Sequence, residues 1–144
     1  MSLPAAVARA AAILREHLDC GRVLYGDLED CVTLVVEAGS SPDGVEPGTG
    51  RWELGPWWPA ELRAQFEDGE PIVCDDIARE ARIPRETRAA YAAWGVAALV
   101  NVPVTEHGRV VAVVVVQDRV AREWTAEQIQ LVTRTAEELW RGGR

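Results

Sequence analysis

The side chains most able to do chemistry in this chain are three cysteines and two histidines. The histidines are His17 and His107, and the cysteines are Cys20, Cys31 and Cys74. The cysteines are odd in number, widely spaced and without a CxxC pair, so their pattern favours neither a disulfide framework nor a zinc knuckle. We expect all three to be small buried apolar side chains with unreactive thiols, in a protein of the reducing cytoplasm.

The adjacent carboxylates Asp75 and Asp76 are the next candidates, because paired acids can bind a metal ion or perform acid–base catalysis. Both lie at the end of a predicted strand, and neighbouring strand residues point to opposite faces of a sheet. A shared metal ion or an acid–base pair is therefore geometrically unfavourable, and we predict no metal site. We expect one of the two to cap the turn that follows.

Residue types that many enzymes require are scarce here. All 15 basic residues are arginine, which excludes Schiff-base chemistry and a P-loop lysine. The serines are Ser2, Ser40 and Ser41, which leaves little for a hydrolase triad. A phosphate-binding loop leads into a helix, and no helix is predicted directly after Gly48-Thr49-Gly50. We predict no catalytic residues.

The charge of the chain argues against two classes of partner. It has 23 acidic and 15 basic residues and a net charge of -8, which repels nucleic-acid phosphates and anionic lipids. No stretch reaches the ~18 to 20 apolar residues that span a bilayer. We therefore predict contact with neither nucleic acid nor a membrane.

The elements that must position these residues follow from apolar periodicity and turn residues. At 144 residues the chain has the length of one domain, and we predict a single α+β domain over 1–144. Residues 38–56 hold five glycines and three prolines and are predicted to form a long loop, either a lid or a surface excursion. The predicted helices are 4–19, 59–68, 85–94 and 125–141, and the predicted strands are 22–28, 31–37, 72–77, 96–104 and 110–117.

Two segments carry the strongest signals. The unbroken apolar run from Val110 to Val116 places side chains on both faces of a sheet, which predicts a central strand covered on both sides. Thr125 followed three residues later by Gln128 predicts a capping box at the start of the last helix.

From residue 59 onward the order of these motifs resembles the GAF domain family. The strand Ile72–Ile77 carries Asp75 and Asp76, the helix ending Tyr91-Ala92-Ala93-Trp94 is followed by Gly95, a strand ends in Val102-Pro103-Val104, and the last helix begins at Trp124-Thr125-Ala126-Glu127. The chain looks most similar to GAF modules of bacterial sensor histidine kinases and phytochrome-like proteins. The resemblance implies a six-stranded antiparallel sheet with terminal helices on one face and a pocket-forming helix and loop segment on the other.

The resemblance also implies where a ligand would bind. Asp76 matches the aspartate that ends the family's strand and faces the ligand in phytochrome-like relatives. The indole rings near the implied pocket are either core or a stacking surface for a flat ligand. The candidate ligand-binding residues are Trp57, Trp58, Leu62, Phe66, Cys74, Asp76, Tyr91, Trp94, Val100, Val102, Val113 and Val115.

The ligand itself stays open, and we expect neither a covalent bilin nor haem. Phytochrome-like domains attach a bilin through a cysteine that sits beside a histidine on a pocket helix, and the implied pocket helices here contain neither residue. The cyclic-nucleotide subgroup of the family carries an Asn-Lys-x-Phe-Asp-Glu set, which a chain without lysine cannot contain. The free methionine sulfoxide reductase branch has its cysteines at positions that these three do not match.

The sequence therefore predicts a non-catalytic sensory and dimerisation module of a bacterial signal-transduction protein, such as a histidine kinase, that binds a small molecule or none. The alternatives are a small-molecule enzyme of the sulfoxide reductase branch and a purely structural dimerisation module. We expect a homodimer through the terminal helices, with Val7, Leu14, Val132 and Leu139 as candidate interface residues.

Overall fold

A computed structural model of the chain describes residues 3–30, 33–43, 45 and 48–143. The predicted second strand begins with Cys31 and Val32, which lie outside the described residues. The prediction that Cys31 is buried is therefore not tested by the structure.

The helices form where the apolar stripes and caps predict them. In the first helix, α1 (Leu3–Leu18), Val7, Ala11, Leu14 and Leu18 recur at helical spacing and are buried on one side. The last helix, α4 (Ala126–Gly142), begins at the predicted capping box: Thr125 Oγ1 accepts from Gln128 N, and Gln128 Oε1 accepts from Thr125 N. Two shorter helices lie between them, α2 (Ala60–Glu67) and α3 (Arg85–Ala93).

In the described part of the chain, six strands form one antiparallel sheet, as the family resemblance implies. Their spatial order is β3-β2-β1-β6-β5-β4. The strands are β1 (Arg22–Leu28), β2 (Thr33–Ser40), β3 (Gly50–Glu53), β4 (Ile72–Cys74), β5 (Ala98–Glu106) and β6 (Arg109–Asp118).

Strand β6 is the buried centre of the fold. It pairs with β1 on one side and β5 on the other. Ala112, Val114 and Val116 point toward α1 and α4, and Val113 and Val115 point to the opposite face. The sheet therefore separates two cores, which we call the helix-side core, under α1 and α4, and the pocket-side core, under α2, α3 and the segment around Trp57.

The largest difference from the prediction is a strand inside the loop predicted at 38–56. Strand β3 pairs with β2 from Thr33↔Glu53 to Val36↔Gly50 and forms the sheet edge. A four-residue strand beginning at a glycine is too short to show alternation.

The strand predicted at 72–77 ends at Cys74, because Ile77 begins a 3-10 turn over Ile77–Arg79.

The alternation of β5 corrects two candidate pocket residues. Val100 and Val102 lie in the helix-side core, whereas the neighbouring Leu99 and Asn101 lie on the other face. The prediction placed Val100 and Val102 on the face opposite to the one they occupy, since a one-residue shift in a strand exchanges the faces.

The candidate dimer residues need a similar correction. Val7, Leu14 and Val132 are buried within the helix-side core of a single chain, so they are not available to a second copy. Leu139 is half-buried at the border of this core. A helix that packs on a sheet uses its apolar stripe for that contact, and the sequence pattern does not distinguish a sheet from a partner helix.

The two ends of the described chain lie side by side. A Cβ atom added at Gly143 would be 3.4 Å from the Cδ atoms of Leu3. No helix among the described residues is long and apolar enough to cross a membrane.

We expect Leu14→Ala to lower the free energy of unfolding by about 2 to 5 kcal/mol, because it leaves a cavity between α1 and the sheet. Leu14 is 2% exposed, whereas Val120, which lies outside the helices and strands, is 64% exposed. The control change Val120→Ala should cost less than about 0.5 kcal/mol. Urea denaturation at two protein concentrations measures both values. A cost at Leu14 that depends on protein concentration would place this side chain between copies of the chain instead.

Candidate functional site

A cavity of about 60 Å³ lies between the pocket-side face of the sheet and the segment from Trp52 to Trp94. We call it the tryptophan pocket. Its floor is formed by strand residues and its walls by aromatic side chains. The lining residues are Leu24, Leu34, Val36, Trp52, Leu54, Trp57, Trp58, Tyr91, Trp94, Asn101, Val115 and Gln117.

The aromatic walls contact one another edge to face. The ring of Trp52 lies 6.4 Å from that of Trp57 at 71° and 5.4 Å from that of Trp94 at 66°. Trp57 and Tyr91 are 4.9 Å apart at 63°. Such pairs contribute about 0.5 to 1.5 kcal/mol each beyond the area that they bury. The walls are therefore a connected set of rings rather than separate side chains.

Backbone carbonyls hold two of these rings by their polar ends. Trp52 Nε1 donates to the Gly48 carbonyl at 2.8 Å, and the Tyr91 hydroxyl donates to the Trp57 carbonyl at 3.1 Å. Gly48 has a φ of 98°, a conformation that favours glycine. Because both donors have partners in the protein, the pocket offers a ligand the apolar ring surfaces of these side chains.

Asn101 is the polar group at the floor of the pocket. It lies in β5 opposite Val115 and Ile72, and it is 2% exposed. Its Oδ1 has no hydrogen-bond partner among the described residues. A buried acceptor without a partner is costly, and such groups are rare in folded proteins. This oxygen could accept a hydrogen bond from an N–H or O–H group placed in the pocket.

Arg22 and Gln117 lie beside the rim of the pocket at Trp94. The guanidinium carbon of Arg22 is 4.9 Å from the centre of the Trp94 ring, and Arg22 Nη1 donates to Gln117 Oε1 at 2.9 Å. Trp94 and Gln117 also line a neighbouring cavity of about 110 Å³. None of the described residues that line the tryptophan pocket is acidic. Its charged neighbour at this rim is therefore a cation.

The structure brings together part of the predicted site. Trp57, Trp58, Tyr91, Trp94 and Val115 line the tryptophan pocket. Four further candidates are buried in the same core but do not line the cavity: Leu62, Phe66, Cys74 and Val113.

Asp76 is not part of the pocket lining. It is half-buried at the start of the 3-10 turn, where one carboxylate oxygen lies 3.9 Å from Arg79 Nε. Its side chain makes no capping hydrogen bond to that turn. The neighbouring Asp75 Oδ1 accepts from Trp124 N at 3.3 Å and so connects β4 to the start of α4.

Sequence reasoning missed Trp52, Asn101 and Gln117. Trp52 was inside the segment predicted as a loop, and neither Asn101 nor Gln117 was among the candidate ligand-binding residues. A buried strand position occupied by asparagine between valines is an available signal, because an amide there needs a hydrogen-bond partner. Period-2 alternation from Leu99 would have placed Asn101 on the pocket side.

The described cysteines are poor nucleophiles. Burial raises the pKa of Cys74 to about 12, with a further contribution from the carboxylate of Glu80. Burial also raises the pKa of Cys20 to about 11, and Cys20 lies in the helix-side core. Both are therefore neutral thiols at physiological pH. No group of three or more histidine, cysteine, aspartate or glutamate side chains among the described residues could hold a metal ion.

The comparison with known proteins agrees with this architecture. The model of the GAF domain family matches residues 2–141. The fold is similar to the phycocyanobilin-bound GAF domain of a cyanobacterial phytochrome, with a TM-score of 0.83 and 14% identity over 99% of this chain and 84% of that one. A search of curated proteins finds no match.

Two further solved structures share the fold. The phycoerythrobilin-bound GAF domain of a cyanobacterial phytochrome has a TM-score of 0.81 and 15% identity over 96% of this chain and 83% of that one. A domain assigned to a two-component sensor histidine kinase of Sinorhizobium meliloti 1021 has a TM-score of 0.66 and 17% identity over 93% of this chain and 85% of that one.

These structures overturn the expectation against a bilin. Two of the domains that share the fold over nearly the whole chain hold phycocyanobilin and phycoerythrobilin. The expectation that set this class of chromophore aside therefore conflicts with what these neighbours bind.

We expect Asn101→Leu to raise the free energy of unfolding by about 1 kcal/mol, because an apolar side chain of similar size removes the unpartnered oxygen from the core. Asn101→Asp, which has nearly the same shape, should lower it at neutral pH by placing a charge there. Chemical denaturation of the two variants compares them. Destabilisation by Asn101→Leu as well would mean that the amide is already satisfied.

Proposed function

The chain belongs to the GAF domain family, whose members are generally sensory and non-catalytic, and on that basis we propose that it is the ligand-binding sensory module of a bacterial signal-transduction protein. A sensor histidine kinase is the parent protein that we favour, since the fold of the Sinorhizobium meliloti domain is similar. The tryptophan pocket is the sensing site in this proposal.

The ligand class follows from the walls and the floor of the pocket. Rings of tryptophan and tyrosine at 4.9 to 6.4 Å spacing favour a flat, mostly apolar molecule. Asn101 Oδ1 favours a ligand that carries one N–H or O–H donor. The Arg22 guanidinium on the outer side of Trp94 favours a neutral or anionic ligand over a cationic one.

The observation that carries the proposal is the unpartnered oxygen of Asn101 at the floor of an aromatic cavity. An N–H or O–H donor of a ligand would satisfy this oxygen and convert a cost into a hydrogen bond. A bound water in the cavity is the explanation that a purely structural dimerisation module offers for the same oxygen.

An enzymatic role is the alternative with less support. Reduction of a sulfoxide by thiols needs cysteines at the pocket, and neither Cys20 nor Cys74 lines it. The raised pKa values of both thiols also disfavour thiolate attack. Turnover of free methionine sulfoxide by the purified protein would contradict the non-catalytic proposal.

The small volume of the tryptophan pocket means that a side chain must move when a larger ligand binds. A volume of about 60 Å³ is well below the ~300 to 1,000 Å³ of drug-sized ligand sites, so a multi-ring ligand requires a side chain to swing outward. Trp94 is the side chain best placed to do so, because it is half-buried at the rim and is followed by Gly95, which has a φ of 82°. Ligand entry would then break the contact between Trp94 and Arg22.

We expect indole to bind the pocket, because it is flat and has a single N–H donor for Asn101. Its N-methylated analogue should bind about tenfold more weakly, since it lacks the donor. Trp57→Ala, which removes a lining ring that stays in place, should weaken indole binding by about 1 to 3 kcal/mol through lost contact. Trp140→Ala, on the other side of the sheet, is the matched control and should have no effect.

NMR titration of the folded protein measures these affinities, and phycocyanobilin added in the same format tests the chromophore class. Binding of indole and its methylated analogue with equal affinity would contradict the role of Asn101. Binding of neither indole nor phycocyanobilin would contradict the sensory proposal and leave the structural module.

We also propose that the module self-associates through the outward faces of the terminal helices. Ile13 on α1 is a large apolar side chain with half of its surface exposed, and Leu139 is half-buried on α4. Sedimentation velocity at high micromolar concentration should show a dimer that Ile13→Asp dissociates. A monomer of the unaltered protein at that concentration would contradict this part of the proposal.

A further inference from the structure

A second cavity lies on the helix side of the sheet, where the start of α1 meets the end of α4. Its volume is about 250 Å³. Leu3, Leu139 and Trp140 line it from the helices, and Tyr25, Asp27 and Glu37 line it from β1 and β2. We call it the acidic cleft. It is separated from the tryptophan pocket by the sheet, so it does not depend on the proposed function.

Tyr25 is the first observation that points to a ligand in this cleft. Its side chain is 94% buried, with 6% of its surface exposed. Its hydroxyl makes no hydrogen bond to another described residue, and the groups that act on it electrostatically are Asp27 and Glu37. The hydroxyl oxygen is accessible from the cleft, whereas the Tyr91 hydroxyl on the other side of the sheet donates to a backbone carbonyl.

The charge of the cleft is the second observation. Neither Asp27 nor Glu37 forms an ion pair in the described part of the chain, and none of the described residues that line the cleft is basic. Burial and the nearby Glu37 raise the pKa of Asp27 above its usual value. Among the described residues, the half-buried carboxylate of Asp27 and the exposed carboxylate of Glu37 thus line one cavity with the Tyr25 hydroxyl and without a basic side chain.

The residues that line the acidic cleft favour an organic ammonium ion over a metal ion. Leu3, Leu139 and the Trp140 ring make the helix side of the cleft apolar, which suits a hydrocarbon chain or an aromatic contact to a cation. Calcium ions need six to eight oxygen ligands, more than two carboxylates and one hydroxyl supply. An ammonium group has three donors, which matches the number of oxygen-bearing side chains.

We propose that the acidic cleft binds a small alkylammonium ion, with the ammonium group between the Tyr25 hydroxyl and the carboxylates of Asp27 and Glu37. The alkyl chain lies against Leu139 and Trp140. Such a ligand contacts the first and the last helix at once. It supplies a cation for Asp27 and Glu37 and a hydrogen-bond partner for the Tyr25 hydroxyl, neither of which the described residues provide.

The test is an NMR titration of the full chain at low ionic strength with butylammonium chloride. Butylammonium should shift the resonances of Tyr25, Leu139 and Trp140. Butanol lacks the charge and tetramethylammonium lacks the N–H donors, so each should bind at least about tenfold more weakly. Equal binding of tetramethylammonium, or stronger binding of magnesium chloride, would overturn the proposal.

Matched variants locate the site. Asp27→Asn and Tyr25→Phe should each weaken butylammonium binding by about tenfold. Glu70→Gln changes the net charge by the same amount at an exposed position outside the cleft and should leave binding unchanged. An equal loss in Glu70→Gln would reduce the effect to net charge and overturn the proposal. If a variant fails to fold, the map of shifted resonances in the unaltered protein decides, and shifts outside the cleft count against it.

Discussion

The burial of β6 on both faces is the constraint on which the rest of the structure depends. A strand whose side chains are buried on both sides has no access to water, so its backbone groups must pair with neighbouring strands and each face must be covered by another layer. β1 and β5 supply the pairing. The terminal helices cover one face, and the shorter helices with the tryptophan segment cover the other. The tryptophan pocket and the acidic cleft follow from this arrangement. Each lies between the sheet and one of its two covering layers, on opposite sides of the sheet.

An element of this fold could be predicted from the sequence where its own residues carry the pattern that determines it. The valine run of β6 and the capping box of α4 are local patterns, and both were predicted correctly. β3 was missed because four residues after a glycine gain their structure from pairing with β2 rather than from their own preference. The faces of β5 were reversed because every residue from Ala98 to Val102 except Asn101 is apolar, and a continuous apolar run does not reveal which side each residue faces. Asn101 was the one residue in that run that could have established the faces.

The tryptophan pocket is also formed by contacts between residues that are far apart in the sequence. Trp57 and Trp58 were identified from their types, whereas the contact of Trp57 with Trp52 depends on β3, which joins the sheet edge and carries Trp52. The rings are further held by carbonyl groups of Gly48 and Trp57, contacts that no spacing rule describes. Side-chain types therefore indicated an aromatic site, but its polar floor and its connected rings required the tertiary structure.

The closeness of Leu3 and Gly143 has a consequence for how such a domain can be built into larger proteins. Because the chain enters and leaves the fold at neighbouring points, the domain can replace a few residues of a surface turn in a host without forcing the two sides of that turn apart. The closure entropy of the host turn then changes little, since the inserted domain spans no more distance than the residues it replaces. The geometry thus suits the domain to serve as an internal cassette as readily as a link between domains in a row.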